Sequence, residues 1–167
     1  MSMQRKPETK GFHQRGGKGE QQGGSVDNFV KELSKYLEGD DTMTLVNKLF
    51  EGNMYNELRK EIESESSYRK VHELLSSIID DTESLLNQRQ KGDVIKSRLS
   101  IHLARASVII RYQEARDQLG KGIAKILNGV IDEIYRNVNN EDVLRKVLSN
   151  ARVLIDALAV IAKEKRR

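Results

Sequence analysis

The chain has no cysteine and no tryptophan, one proline and three histidines among 167 residues. Without cysteine there is no disulfide scaffold, no thiol nucleophile and no cysteine-ligated zinc. No run of about 18 uncharged apolar residues occurs, so no segment reads as a membrane span. The start of the chain lacks the apolar stretch of a secretory signal. These absences predict a soluble protein of the cytoplasm. Aromatic residues are scarce, at 5%, so the expected core is aliphatic.

Catalytic patterns are missing too. His13, His72 and His102 are far apart in sequence, and no His-Glu-x-x-His is present. No serine sits in a Gly-x-Ser-x-Gly elbow. Asp80, Asp81 and Glu83 are close in sequence, but successive residues on a helix diverge by about 100° and do not converge on an ion. Gly120-Lys121-Gly122 follows a helix rather than a strand and lacks the spacing of a phosphate loop. The expectation is a non-enzyme with no cofactor and no metal.

Charge is unevenly spread. Residues 1–24 carry net +3, residues 25–94 net −6 and residues 95–167 net +7. This asymmetry suggests a dipolar molecule, one side suited to an anionic polymer and the other to a basic neighbour.

Residues 1–24 hold six of the twelve glycines and the only proline. They lack the apolar content to offset ordering and read as a disordered tail. One Arg-Gly-Gly there resembles RNA-contacting tails, and a plain linker fits equally well. From Ser25 a single helical domain, 25–167, is expected. Ser25 is a candidate cap for a helix through Phe29, Leu33, Tyr36 and Leu37 that ends at Gly39. The Asp40-Asp41-Thr42 turn offers a cap for a second helix, and a third covers Tyr55 to Ile62. Longer helices are expected over about 68–90, 93–136 and 140–164, the middle one kinked or loosened at Gly120 and Gly122. The fold class is all-α, a compact bundle of five to seven helices with a disordered N-terminal tail.

The stretch from Gly92 to Leu119 carries the functional signal. At helical periodicity Arg98, His102, Arg105, Ile109, Tyr112 and Arg116 form a narrow stripe. Ile95, Leu99, Leu103, Ala106 and Ile110 flank it on one side; Val94, Ile101, Val108 and Leu119 flank it on the other. Such a helix is expected to pack on both flanks and present guanidinium groups between them, which suits a phosphate backbone. Equally, arginine stems on such a helix can lie over the core while their heads stay in water.

Two segments resemble the small helical subunits of type III-A CRISPR (Csm) effector complexes. In Leu103–Leu119, Tyr112-Gln113-Glu114-Ala115-Arg116 matches that family's Tyr-x-x-x-Arg step. Leu154–Lys163, LIDALAVIAK, is similar to its closing helix, with Asp156-Ala157 in the Glu-Ala place and Lys163 in the place of a late lysine. Leu154, Ile155 and Ile161 stand where the family usually has aromatics. Its early Thr-x-x-Gln-apolar-Arg start is degenerate, at best Asp41-Thr42 through Leu49. The resemblance covers residues 98–164 and implies a non-nuclease subunit. Copies would stack on one another along the filament, beside the backbone subunits and the other proteins of the complex. They would contact guide RNA and single-stranded target RNA without reading sequence, because base pairing already does so. Arg116 is the residue carried by motif, with Tyr112 as a structural partner packed at the helix junction. Arg98, Arg105, Arg111, Lys121 and Lys125 are RNA-binding candidates by position and charge, and Lys163 by its family place. Helical small subunits of other type III or type I effectors remain open as an assignment. The alternative from a different class is a helical scaffold or adaptor that binds protein and never touches nucleic acid.

Overall fold

A computed structural model describes residues 24–165, so the N-terminal tail proposed from sequence lies outside the described residues apart from Gly24. Eight α-helices make up the described chain: α1 Ser25–Lys31, α2 Leu33–Glu38, α3 Thr42–Leu49, α4 Gly52–Glu61, α5 Glu65–Asn87, α6 Gly92–Ala115, α7 Lys121–Arg136 and α8 Glu141–Glu164. This is an all-α bundle, with more elements than the five to seven expected. The extra breaks have local causes. At Glu32 the backbone leaves the helical region, dividing the expected first helix into α1 and α2. The expected 93–136 helix is two helices, because Asp117 takes a left-handed φ of 56°. There Gln118 N–H donates to Gln113 O at 2.9 Å and Asp117 N–H to Glu114 O at 3.0 Å. That Schellman pattern ends α6 before any glycine is reached. Arg89, with φ 56°, ends α5 in the same way.

Capping explains several starts. Asp41 accepts from Thr44 N–H at 3.0 Å, Ser64 from Ser67 N–H at 3.2 Å and Asn140 from Val143 N–H at 3.3 Å. Ser25 does not cap α1. Gly24 occupies that position, and the carboxylate of Glu57 accepts from Ser25 and Val26 N–H at 3.0 Å each. One turn on, Glu61 does the same for α7, accepting from Gly122 N–H at 3.3 Å and Ile123 N–H at 2.6 Å. Two carboxylates on α4 thus receive the orphan donors of two other helices.

The long helices set the layout. α5 packs on α8 and on α6, α6 packs on α7, and α7 lies against α1, α2 and α4. The core is aliphatic, as composition required. Its largest fully buried side chain is Tyr68, whose hydroxyl donates to Ile155 O at 2.7 Å across α5 and α8. Burial, and then the charge of Asp156, pushes this phenol well above the ordinary tyrosine range, so it stays a donor. Asn150 of α8 is buried and donates to Leu37 O at 2.8 Å and Gly39 O at 3.0 Å, while accepting from Thr42 Oγ1 at 2.6 Å. One amide therefore satisfies the end of α2 and locks the turn into α3.

Some of the acidic and basic residues expected on opposite sides are brought together. α8 carries its basic residues into the acidic N-terminal half. Arg152 bonds Asp80 at 2.5 Å and Glu83 at 3.4 Å, Lys146 bonds Asp40 at 2.7 Å, and His72 of α5 bonds Asp156 at 2.7 Å. Sequence position separates these charges; packing pairs them.

The glycines flanking Lys121 serve close approach. A Cβ on Gly122 would stand 2.5 Å from Val26 Cγ1 and 2.7 Å from Glu61 Oε1, and one on Gly120 would stand 2.7 Å from Glu61 Cγ. Gly122→Ala is therefore expected to cost about 1–3 kcal/mol, read as a lower urea midpoint; an unchanged midpoint would mean the contact yields freely. Half-burial pushes the Glu61 carboxyl above the ordinary glutamate range, against the lowering pull of its two N–H donors. A pKa raised by folding contributes stability fully below the unfolded value and loses it as pH rises through the folded value. The stability of the wild type relative to Glu61→Gln should thus decline as pH rises above about 4, the unfolded glutamate value. A pH-independent difference in urea midpoints would contradict this.

Candidate nucleic-acid interface

α6 is an edge helix, in contact with α5 and α7 alone among the named helices. Its inner face is a single stripe of Ile95, Leu99, Leu103, Ala106, Ile110 and Gln113, all buried. The second apolar flank expected from sequence is not a packing face. Ile101 is 63% exposed and Val108 65% exposed. Leu119 is buried, but off the helix, where it pairs with Ile62 in an isolated antiparallel bridge. The physical reason is a shortage of neighbours: α5 and α7 cover one side of α6, and no element covers the other.

The outward side therefore carries both charge and apolar surface. Arg98, Arg105 and Arg111 are exposed, and none has a hydrogen bond or ion pair among the described residues. Arg98 borders a groove with Asp81, Ser84 and Gln88 of α5 without pairing with Asp81. Arg116 lies over the Tyr112 ring at 5.4 Å, and its Nη1 donates to the Tyr112 hydroxyl at 3.2 Å. Tyr112 is 56% exposed, so it is not packed at the helix junction as expected; it is a platform for the guanidinium. Arg98, Arg105 and Arg116 share one edge of the helix and span about 27 Å of its length at 1.5 Å per residue. Ile101 and Val108 run beside them, about 40–80° further round. Arg111 projects on the far side of that apolar strip.

The remaining candidates divide. Lys121 is exposed at the first position of α7, just beyond the end of α6. Lys125 points to α1, where its Nζ is 3.9 Å from Asp27 Oδ1. Lys163 is not near the α6 row. It borders a groove between α5 and α8 with Glu65, Arg69, His72 and Val160, and α8 makes no packing contact with α6.

A second group of cations escaped sequence reading. Arg59 and Lys60 of α4 and Lys165 after α8, with Asn56, line an open cleft of about 590 Å³. Arg59 and Lys60 sit on a short helix and Lys165 in the basic run at the other end of the chain, so no periodicity links them. Among the described residues no group of three or more histidine or carboxylate side chains is placed to hold a metal. No described helix is long and apolar enough to cross a membrane. Comparison with protein-family models, with characterised proteins and with solved structures found no match to this chain.

The two tyrosines give a direct check of this geometry. Tyr68→Phe should cost about 1 kcal/mol by removing a buried hydrogen bond. Tyr112→Ala should change stability by no more than about 0.5 kcal/mol. Urea denaturation measures both; a large loss for Tyr112→Ala would put its ring in the core.

Proposed function

We propose that this chain is a non-catalytic small subunit of a type III CRISPR RNA-guided effector complex, contacting guide and target RNA through the arginine edge of α6. The observation that carries the reading is the row of Arg98, Arg105 and Arg116 on a helix whose outer side no other element covers. Elsewhere in the bundle many cations are engaged by carboxylates, as at Arg152, Lys146 and Arg145. Arg98, Arg105 and Arg111 are left over, and unpaired arginines on a rigid helix suit phosphate oxygens without base readout. The Tyr112–Arg116 stack adds a flat cationic surface next to that row. Tyr112-x-x-x-Arg116 is also the motif on which the family resemblance rests.

In this reading Ile101 and Val108 meet a neighbouring protein subunit, so that RNA and protein share the outer side of α6. Those two residues also favour the second reading, a scaffold that binds protein alone. The readings part on salt. RNA binding through phosphates weakens steeply as salt rises, with a slope of about 0.7 per phosphate contact for a single strand.

The test is fluorescence anisotropy with a labelled oligouridylate over a salt series. Wild-type protein should bind, and Arg98→Ala with Arg105→Ala should reduce the slope by about 1.4, with helicity by circular dichroism unchanged. No binding by the wild type at low salt, together with capture of a protein through the Ile101 and Val108 face, would favour the scaffold.

A further inference from the structure

The antiparallel bridge between Ile62 and Leu119 brings together chain ends that sequence keeps apart. Gly120 N–H donates to Glu61 O at 2.7 Å, and Glu63 N–H to Gln118 O at 3.1 Å. Lys60 and Lys121 each adjoin this Glu61–Gly120 pair, one on each strand of chain. Both are exposed, and neither has a hydrogen bond or ion pair among the described residues. Lys165 reaches the same place, its Nζ donating to Ile62 O. Arg59, one residue further back on α4, lies against the Tyr55 ring at 5.4 Å. Its neighbour Tyr55 donates through its hydroxyl to Glu164, leaving that carboxylate engaged.

Carboxylates at the junction are either committed or displaced. Glu57 and Glu61 receive the N–H groups of α1 and α7. Glu63 and Asp117 fall on the other side of the Ile62–Leu119 pair from Lys60 and Lys121. The residues lining the cleft are Asn56, Arg59, Lys60 and Lys165, with no acid among them. At about 590 Å³ the cleft has room for a phosphodiester unit with its sugar.

We propose that Lys60, Lys121, Arg59 and Lys165 form a second phosphate-binding subsite, for the backbone of an RNA strand that leaves the α6 row at its Arg116 end. This rests on the reading of α6 as an RNA-contacting edge and extends it to a surface built from α4, the start of α7 and the end of α8. A polynucleotide is the fitting ligand because the cations are dispersed along a path: a single small anion would not span from Arg116 to the cleft. The Tyr55–Arg59 stack repeats at this end the Tyr112–Arg116 arrangement of α6, an aromatic ring under a guanidinium four residues away. A guanidinium held beside an aromatic ring in this way suits a sugar-phosphate edge or a stacked base.

The experiment uses the full chain and a fluorescein-labelled oligouridylate in a salt series. The test variant is Lys60→Ala with Lys121→Ala, chosen because neither lysine holds the fold; the companion is Arg98→Ala with Arg105→Ala on α6. The expected result is about tenfold weaker binding for the lysine pair at low salt and a slope smaller by about 1.4, with circular dichroism unchanged. If the lysine pair binds as wild type while the α6 pair is weakened, the subsite is overturned and the α6 reading stands. If wild type binds and neither pair is weakened, the RNA uses another surface and both are overturned. If wild type does not bind at low salt, both are overturned as well.

Discussion

The bundle is tied at one end by a short contact between residues 61–63 and 118–120. The Ile62–Leu119 bridge and its flanking hydrogen bonds hold the end of α4 to the segment between α6 and α7. Apart from Glu61, the last residue of α4, neither segment is helical there, so their backbone groups need partners outside a helix, and each supplies them to the other. The side chain of Glu61 then receives the first N–H groups of α7, and Glu57, one turn earlier, those of α1. α4 has ten residues and little apolar surface of its own. Its position follows from these two carboxylates and from Met54 and Leu58, both buried. The glycines at 24, 120 and 122 exist in this arrangement because a Cβ at any of them would collide with Glu57, Glu61 or Val26.

Packing of α5 on α8 decides where much of the charge ends up. The start of α5 lies beside the end of α8, and the two helices pack on one another. The basic residues of the C-terminal part then find acidic partners from the N-terminal part, at Arg152, Lys146 and the His72–Asp156 pair. α6 contributes no arginine to that exchange, because Arg98, Arg105 and Arg111 lie on its exposed side, away from the face packed on α5 and α7. Its arginines remain without carboxylates for that reason. A functional surface here is what intramolecular pairing leaves over, rather than a patch added to the fold.

The periodic α6 stripe was legible residue by residue. Its buried face coincides with one of the two apolar flanks recognised in the sequence, and Arg98, Arg105 and Arg116 do share an edge. What periodicity could not tell was how many neighbours the helix would have. Two apolar flanks predict two packing faces only if two sets of neighbours exist; α6 has one, and Ile101 and Val108 are left in solvent. Tyr112 was expected in a junction for the same reason, and with no junction on that side it supports Arg116 instead. Lys125 looked like a member of a basic region because sequence and charge are all that a linear reading has, and Lys163 became a candidate through its place in the family resemblance. Asp27 claims the first, and the second faces a different groove.

The sequence by itself determined the class of structure. Apolar repeats at helical spacing, polar caps such as Asp41 and Asn140, and the lack of cysteine and tryptophan suffice for an aliphatic all-α bundle. These are local properties, set by neighbours within a few residues. Helix ends at Arg89 and Asp117 needed more, since left-handed conformation at a non-glycine residue has no sequence mark of its own. Only the tertiary structure decided which charges neutralise one another, which flank of α6 is covered, and that Lys60 and Lys165 line one cleft. Those outcomes depend on contacts between residues from 21 to more than 100 positions apart, where no periodicity reaches.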